Sequence, residues 1–183
     1  MNTAYYLINT VCNLYLMIVL MRIWLQLARA DFYSPASQFV VKATNPILKP
    51  LRRFIPGYFG IDMAALVLAV LVVAVKLTLL YVLIAEAAIG PEWLLLIVLT
   101  IIKKAGTMLF WVLIMRALLS WVSKGNNPIE YLMFQLTEPL LAPIRRIIPA
   151  LGGLDLSMLV FFIVLQVLNS LMGDVFGQIW WAI

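Results

Sequence analysis

Histidine is absent from this sequence of 183 residues, and cysteine occurs once, at Cys12. These two absences exclude a Cys/His zinc site, a CxxC redox pair, an intrachain disulfide and every histidine-based catalytic triad. Cys12 lies inside an apolar run and reads as a small buried hydrophobe. Charge is scarce as well: 11% of residues are charged, against about 25% in ordinary soluble domains. No acid stands at the centre of an apolar run, so the acidic ring of a cation filter has no source there. Ser120 lies four residues from Arg116, but arginine is no general base. The chain therefore reads as non-enzymatic, with no cofactor implied and no nucleic acid contact required.

What fills the sequence is apolar: 65% of residues are hydrophobic. A soluble fold of this size cannot hide that much apolar surface, so lipid is the expected solvent. About 20 apolar residues cross the hydrocarbon core as a helix. Ala4–Leu27, Met63–Ile84 and Leu154–Met172 qualify. A further stretch, Trp93–Val122, is interrupted by Lys103-Lys104-Ala105-Gly106. It is either one long, tilted or kinked helix of about 45 Å, or an interfacial piece over Trp93–Ile102 followed by a span from Gly106. Gly106 is the expected weak point. The first residues lack a basic n-region, and no A-x-A site follows the first run. That run is expected to be a retained span and not a signal peptide.

Charge orients the spans. The segment 29–53 carries Arg29, Lys42, Lys49, Arg52 and Arg53, and the segment 124–146 carries Lys124, Arg145 and Arg146. The middle connection holds Glu86 and Glu92, and neither terminus bears a lysine or arginine. The positive-inside rule puts both long loops in the cytoplasm and both termini outside. Tyr5, Tyr6, Trp93, Trp180 and Trp181 are then expected in the outer aromatic belt, with Trp24 and Trp121 near the inner one.

The sequence also repeats itself. Residues 44–56 and 137–149 share the pattern T-x-P-x-x-x-P-x-R-R-x-I-P, with eight identities in thirteen positions at an offset of 93. Pro35 matches Pro128, Gly60 matches Gly153 and Asp62 matches Asp155 at the same offset, while Arg22 matches Arg116 after a one-residue slip. Such self-similarity indicates duplication. The expected fold is an all-α membrane protein with four transmembrane helices in two tandem repeats, 1–90 and 91–183, each made of span, basic loop and span. Two spans per unit give both repeats one orientation, with a pseudo-twofold axis along the membrane normal.

Within the motif, Pro46 and Pro139 are expected at the first position of a short helix. Pro50 and Pro143 shorten or kink it, and Pro56 and Pro149 stop it. Ser34–Lys42 reads as a separate, brief amphipathic helix. The result is a short amphipathic, proline-framed interfacial element in each cytoplasmic loop. Ile47, Leu48, Leu51, Phe54 and Ile55 dip into the acyl boundary, while Arg52 and Arg53 meet lipid phosphates or Asp62. The second element uses Arg145, Arg146 and Asp155. Both aspartates cap the span that follows. The candidate lipid- or partner-binding residues are thus Pro46, Pro50, Arg52, Arg53, Asp62, Pro139, Pro143, Arg145, Arg146 and Asp155.

Arg22, Lys76, Arg116 and Asn169 are the intramembrane polar candidates. Arg22 and Arg116 sit within two turns of the cytoplasmic end and can snorkel; Lys76 can stretch toward the outer interface. Lys76 aligns with Asn169, and Asn9 with Lys103, so a polar seam between the halves is expected, with Asn13, Gln166 and Asn169 contributing. Interhelical hydrogen bonds are its ordinary use, and a hydrophilic ion pathway the alternative. Gly153, Gly173, Ala64, Ala65, Ala69 and Ala74 permit close helix contact and homo-oligomerisation.

The duplicated T-x-P…P-x-R-R-x-I-P block followed by G-x-D resembles the YggT family of small bacterial membrane proteins over nearly the whole chain. Its relatives called YlmG carry one repeat. The resemblance implies an inner-membrane protein without assigned enzymatic activity. It links the chain to osmotic-stress tolerance, potassium uptake and the neighbourhood of cell-division genes, and through chloroplast relatives to nucleoid distribution and cytochrome b6 assembly. Two functions follow: a scaffold or assembly factor presenting its basic elements to anionic lipid headgroups or a membrane protein partner, and, alternatively, an ion (potassium) uptake or channel component.

Overall fold

The computed structural model describes residues 3–57, 62–82, 90, 92–122, 127–148 and 156–183. It is all-helical over these residues: α1 (Thr3–Leu27), α2 (Pro35–Phe54), α3 (Met63–Leu77), α4 (Trp93–Val122), α5 (Pro128–Ile147), α6 (Leu156–Phe176) and α7 (Gln178–Ala182). Helices α1, α3, α4 and α6 are each long and apolar enough to cross a membrane, α3 together with the first residues of its extension. Asp62 caps α3, its side chain accepting from Ala65 N at 3.3 Å. The second expected span ends differently from a plain α-helix: α3 gives way to a π-helical turn over Thr78–Val82, where Thr78 Oγ1 returns a hydrogen bond to Ala74 O at 2.8 Å. The fourth ends later than its hydropathy suggests, running to Phe176.

The long apolar stretch is one helix. α4 continues unbroken through Lys103, Lys104 and Gly106 for 30 residues. Gly106 does not break it, since one glycine costs a helix only about 1 kcal/mol and long apolar runs lie before Lys103 and after Thr107.

Helices α2 and α5 correct the reading of the loops as short elements. Each is a single 20-residue α-helix, about 30 Å long, with proline at its first turn and two more prolines inside, Pro46 and Pro50 in α2 and Pro139 and Pro143 in α5. Pro46 and Pro139 therefore sit mid-helix, not at a helix start. Interior proline removes one helical hydrogen bond and crowds the preceding turn, at about 3 kcal/mol. The stripe that α2 buries explains why the helix survives: Ser37, Val40, Thr44 and Leu48 recur at helical spacing straight across Pro46. In α5 the stripe is Leu132, Met133, Leu136, Thr137 and Leu141. Tertiary packing along one continuous face outweighs the local breaks. The four interior prolines all lie on exposed positions, where water or headgroups can satisfy the freed carbonyls.

The core gathers at the end of the bundle that carries α2 and α5. α1 buries Leu16, Val19, Leu20, Ile23 and Leu25 in its second half, against Ala64, Ala65, Leu68 and Ala69 at the start of α3. α3 and α1 both touch α4, and α2 touches α5. α6 is peripheral: it packs on α4, α5 and α7 and buries only Ser157 and Gly173 among its described residues. Of the small residues expected to serve oligomerisation, Ala64, Ala65 and Ala69 are buried in the core and Gly173 lies under Trp181, where an added Cβ would stand 2.6 Å from the indole ring, while Gly153 lies outside the described residues. Gly177, at φ +58, turns the chain from α6 into α7 in a conformation that favours glycine.

Candidate functional site

The arginine-bearing helices lie together. Trp24 Nε1 on α1 donates to Leu136 O on α5 at 3.0 Å, and Gln135 Oε1 accepts from Asp31 N, just before α2, at 2.9 Å. Their local geometry is nearly the same. Thr44 Oγ1 donates to Val40 O at 2.8 Å, and Thr137 Oγ1 to Met133 O at 2.7 Å. Both helices end through an extended residue, Ile55 (φ −121°, ψ 98°) and Ile148 (φ −120°, ψ 97°). Just before these ends, Phe54 is 85% exposed and Ile147 81%, large apolar side chains at matching positions.

The charges differ between the two. α2 carries Lys42, Lys49, Arg52 and Arg53 and no acid, whereas α5 sets Glu130 and Glu138 against Arg145 and Arg146. Arg52 forms an ion pair with Asp62, as expected from the sequence; Arg53 is exposed. Arg145 pairs with Glu138, at 2.9 Å to both carboxylate oxygens, a partner the motif alone does not indicate. Asp155, its expected partner, lies outside the described residues. Glu138, which joins Arg116 and Arg145, is the residue of this cluster that motif reading missed. The signal was present in the variable second position of the motif, Asn45 in one block and Glu138 in the other.

Arg22 and Arg116 do not reach out to the interface. Each is 7% exposed, because α2 and α5 fold over the ends of their spans. Arg116 donates to Thr137 Oγ1, stands 3.4 Å from Glu138 Oε2 and lies over the Phe134 ring at 4.9 Å. Arg22 lies over the Phe32 ring at 5.8 Å.

Among the described residues the other intramembrane polar groups form two hydrogen-bonded clusters, one around Lys76 and one around Trp180, with Lys103 of the second acting on Lys76 by its charge. Lys76 is buried and does not stretch outward: its Nζ donates to Asn13 Oδ1 at 3.0 Å, and Asn13 Nδ2 to Asn9 Oδ1 at 3.1 Å. A partner one helix away, on α1, removes any gain from leaving the interior. Asn169 accepts from Trp180 Nε1 at 3.0 Å, and Lys103 Nζ donates to Trp180 O near the Trp180 and Trp181 rings. Trp180 is thus buried and not a belt residue, and Gln166 is exposed on α6. No group of His, Cys, Asp and Glu that could hold a metal occurs among the described residues.

Four helices long and apolar enough to cross the bilayer mark a helical membrane protein. The CCB3/YggT family model matches residues 1–83 and again 95–176. A protein encoded in the proC 3′ region of Vibrio alginolyticus is 54% identical over the full length of both chains. YggT of Escherichia coli K12 is 45% identical over 96% of this chain and 92% of its own, and a Haemophilus influenzae protein is 42% identical over 94% and 93%. The chain belongs to the CCB3/YggT family. No solved structure matches it.

Proposed function

We propose that this protein is a non-enzymatic scaffold or assembly factor of the bacterial inner membrane, presenting α2 and α5 from two tandem repeats, 1–90 and 91–183, as one docking face. The observation that carries the reading is the adjacency of these helices, each with a core stripe, exposed prolines and an exposed apolar residue beside an arginine pair. A helix with one face on protein, a second apolar arc and a basic edge fits the plane of a membrane interface. On this reading α2 and α5 are interfacial and cytoplasmic, and both termini are periplasmic. Exposed Lys42, Lys49 and Arg53 attract anionic lipid headgroups at about 1 kcal/mol each. α5, with its balanced charge, faces a membrane protein partner. The role is in envelope or membrane-complex biogenesis, with a link to osmotic adaptation. Homo-oligomerisation would use the open face of α6, whose Leu159, Ile163, Val167 and Leu171 are exposed.

The polar chain from Lys76 through Asn13 to Asn9 favours a second reading, potassium uptake. Against it, the Lys104 and Lys103 ammonium groups act on Lys76 with charge of its own sign, a setting that repels a cation.

A photocrosslinker placed at position 142 tests the scaffold in living membranes. It should capture a discrete protein partner, and replacing Lys42, Lys49 and Arg53 together by alanine should weaken binding to phosphatidylglycerol vesicles by tenfold or more. Reconstituted vesicles should stay closed to potassium. Potassium flux that Lys76→Leu alters, with no crosslinked partner, would overturn the scaffold in favour of uptake.

A further inference from the structure

Two buried arginines meet the two arginine helices at matching places, and among the described residues only one of them, Arg116, makes an ion pair with a carboxylate. Around Arg116, Glu138 is the bridging acid: one of its oxygens stands near Arg116, and both accept from Arg145. Around Arg22 the bridge is missing. The residue in the register of Glu138 is Asn45, and the residue in the register of Arg145 is Arg52. Arg52 has its own acid, Asp62, on the next helix. Arg22 is as buried as Arg116. Its Nη1 is closed off from solvent and has no hydrogen-bond partner among the described residues.

A guanidinium is always charged, and its planar fork is built to meet two oxygens at once. Leaving one of its N–H groups buried without an acceptor is among the costlier arrangements a fold can hold. The surroundings suit an incoming anion. Arg52 and Asp62 are the charged groups that act on Arg22. The Arg52 side chain is 41% exposed and so opens the site toward the membrane surface. Asn45, unlike the glutamate in its register, can donate a hydrogen bond to an oxyanion through its amide.

We propose that Arg22, with Asn45 and Arg52, binds a phosphate oxyanion, from a phospholipid headgroup or from free phosphate, in the place that the Glu138 carboxylate fills beside Arg116. Beside Arg116 a carboxylate of the chain bridges two arginines; beside Arg22, whose nearby Asp62 is engaged by Arg52, the oxyanion supplies the acceptor that Nη1 lacks. The site is separate from the exposed cations Lys42, Lys49 and Arg53 and does not rest on the scaffold reading.

The test uses the purified full chain in non-ionic detergent, titrated with dihexanoyl phosphatidylglycerol, with inorganic phosphate, or with sodium chloride at equal ionic strength. Thermal unfolding gives the affinity, and native mass spectrometry the count. One probe should raise the unfolding midpoint saturably, with one molecule bound per chain, and the probe that saturates identifies the source. Asn45→Glu should raise the midpoint without any anion and weaken anion binding at least tenfold; Arg22→Gln should weaken it as much without that rise. Glu138→Asn should lower the midpoint, restore it with anion and bring the count to two. Alanine at Lys42, Lys49 and Arg53 should leave the saturable event in place. No saturable effect of either phosphate on the wild-type chain overturns the proposal, as does binding that survives Asn45→Glu or that disappears with the three exposed cations.

Discussion

Single residues in this protein are judged best in pairs across the offset of 93, because the matching position supplies a control within the same molecule. Thr44 and Thr137 make the same bond to the backbone one turn earlier, and Ile55 and Ile148 turn the chain at the same angles. Asn45 and Glu138 break the match, and electrostatics follows them. Glu138 joins Arg116 to Arg145, so Glu138→Gln leaves a buried guanidinium without its carboxylate. The glutamate is partly exposed, which limits the loss to about 2 kcal/mol. Denaturant unfolding in mixed micelles measures it, and Asn45→Gln, which removes no charge, should stay within about 0.5 kcal/mol of wild type.

At the scale of elements, sequence reading was strong where the signal was hydropathy and weak where several forces competed. The span from Thr3 to Leu27 and the long helix from Trp93 were legible because nothing else stabilises runs of that length and apolarity in lipid. The cap at Asp62 and the pairing of Arg52 with it were legible from local chemistry. α2 and α5 were legible in place and in amphipathic character but not in length. Proline rules predict a break at Pro46 and Pro139, and only the buried stripe that continues past them decides otherwise. Asn13 and Asn169 were legible as polar groups for interhelical hydrogen bonds, but which groups pair with Lys76, Lys103 and Asn169 was not, since that depends on how separate helices rotate against one another.

Two predictions belong to this scale. Pro46→Ala restores a helical donor inside an already continuous α2, so it should raise the unfolding free energy by about 1–3 kcal/mol. A fall in stability on thermal unfolding would show that the proline is held in a special backbone geometry. Gly173→Val puts a branched side chain where Trp181 packs and should push α7 off α6. Tryptophan emission should shift to the red, and Trp181 should become more accessible to a soluble quencher, while the spans stay helical by circular dichroism.

For the molecule as a whole, the adjacency of α2 and α5 is the feature on which topology turns. Trp24 bonded to Leu136, and Gln135 to the Asp31 amide, put both arginine helices at one end of the bundle. With Cys12→Ala as background, single cysteines at Lys49→Cys and Ala142→Cys should therefore label from the same face of the membrane. The cytoplasmic orientation predicts no reaction with an impermeant maleimide in intact cells and full reaction in inverted vesicles. Labelling from opposite faces would contradict the packing itself.

The packing also bears on synthesis. The core cluster begins at Leu16 and its last buried member is Leu136, while α6 buries just two described residues of its own. Every piece of that cluster has therefore been translated before the final span is made. The bundle can close while its last helix is still waiting to enter the lipid, and α6 then joins as a staff laid against a finished wall.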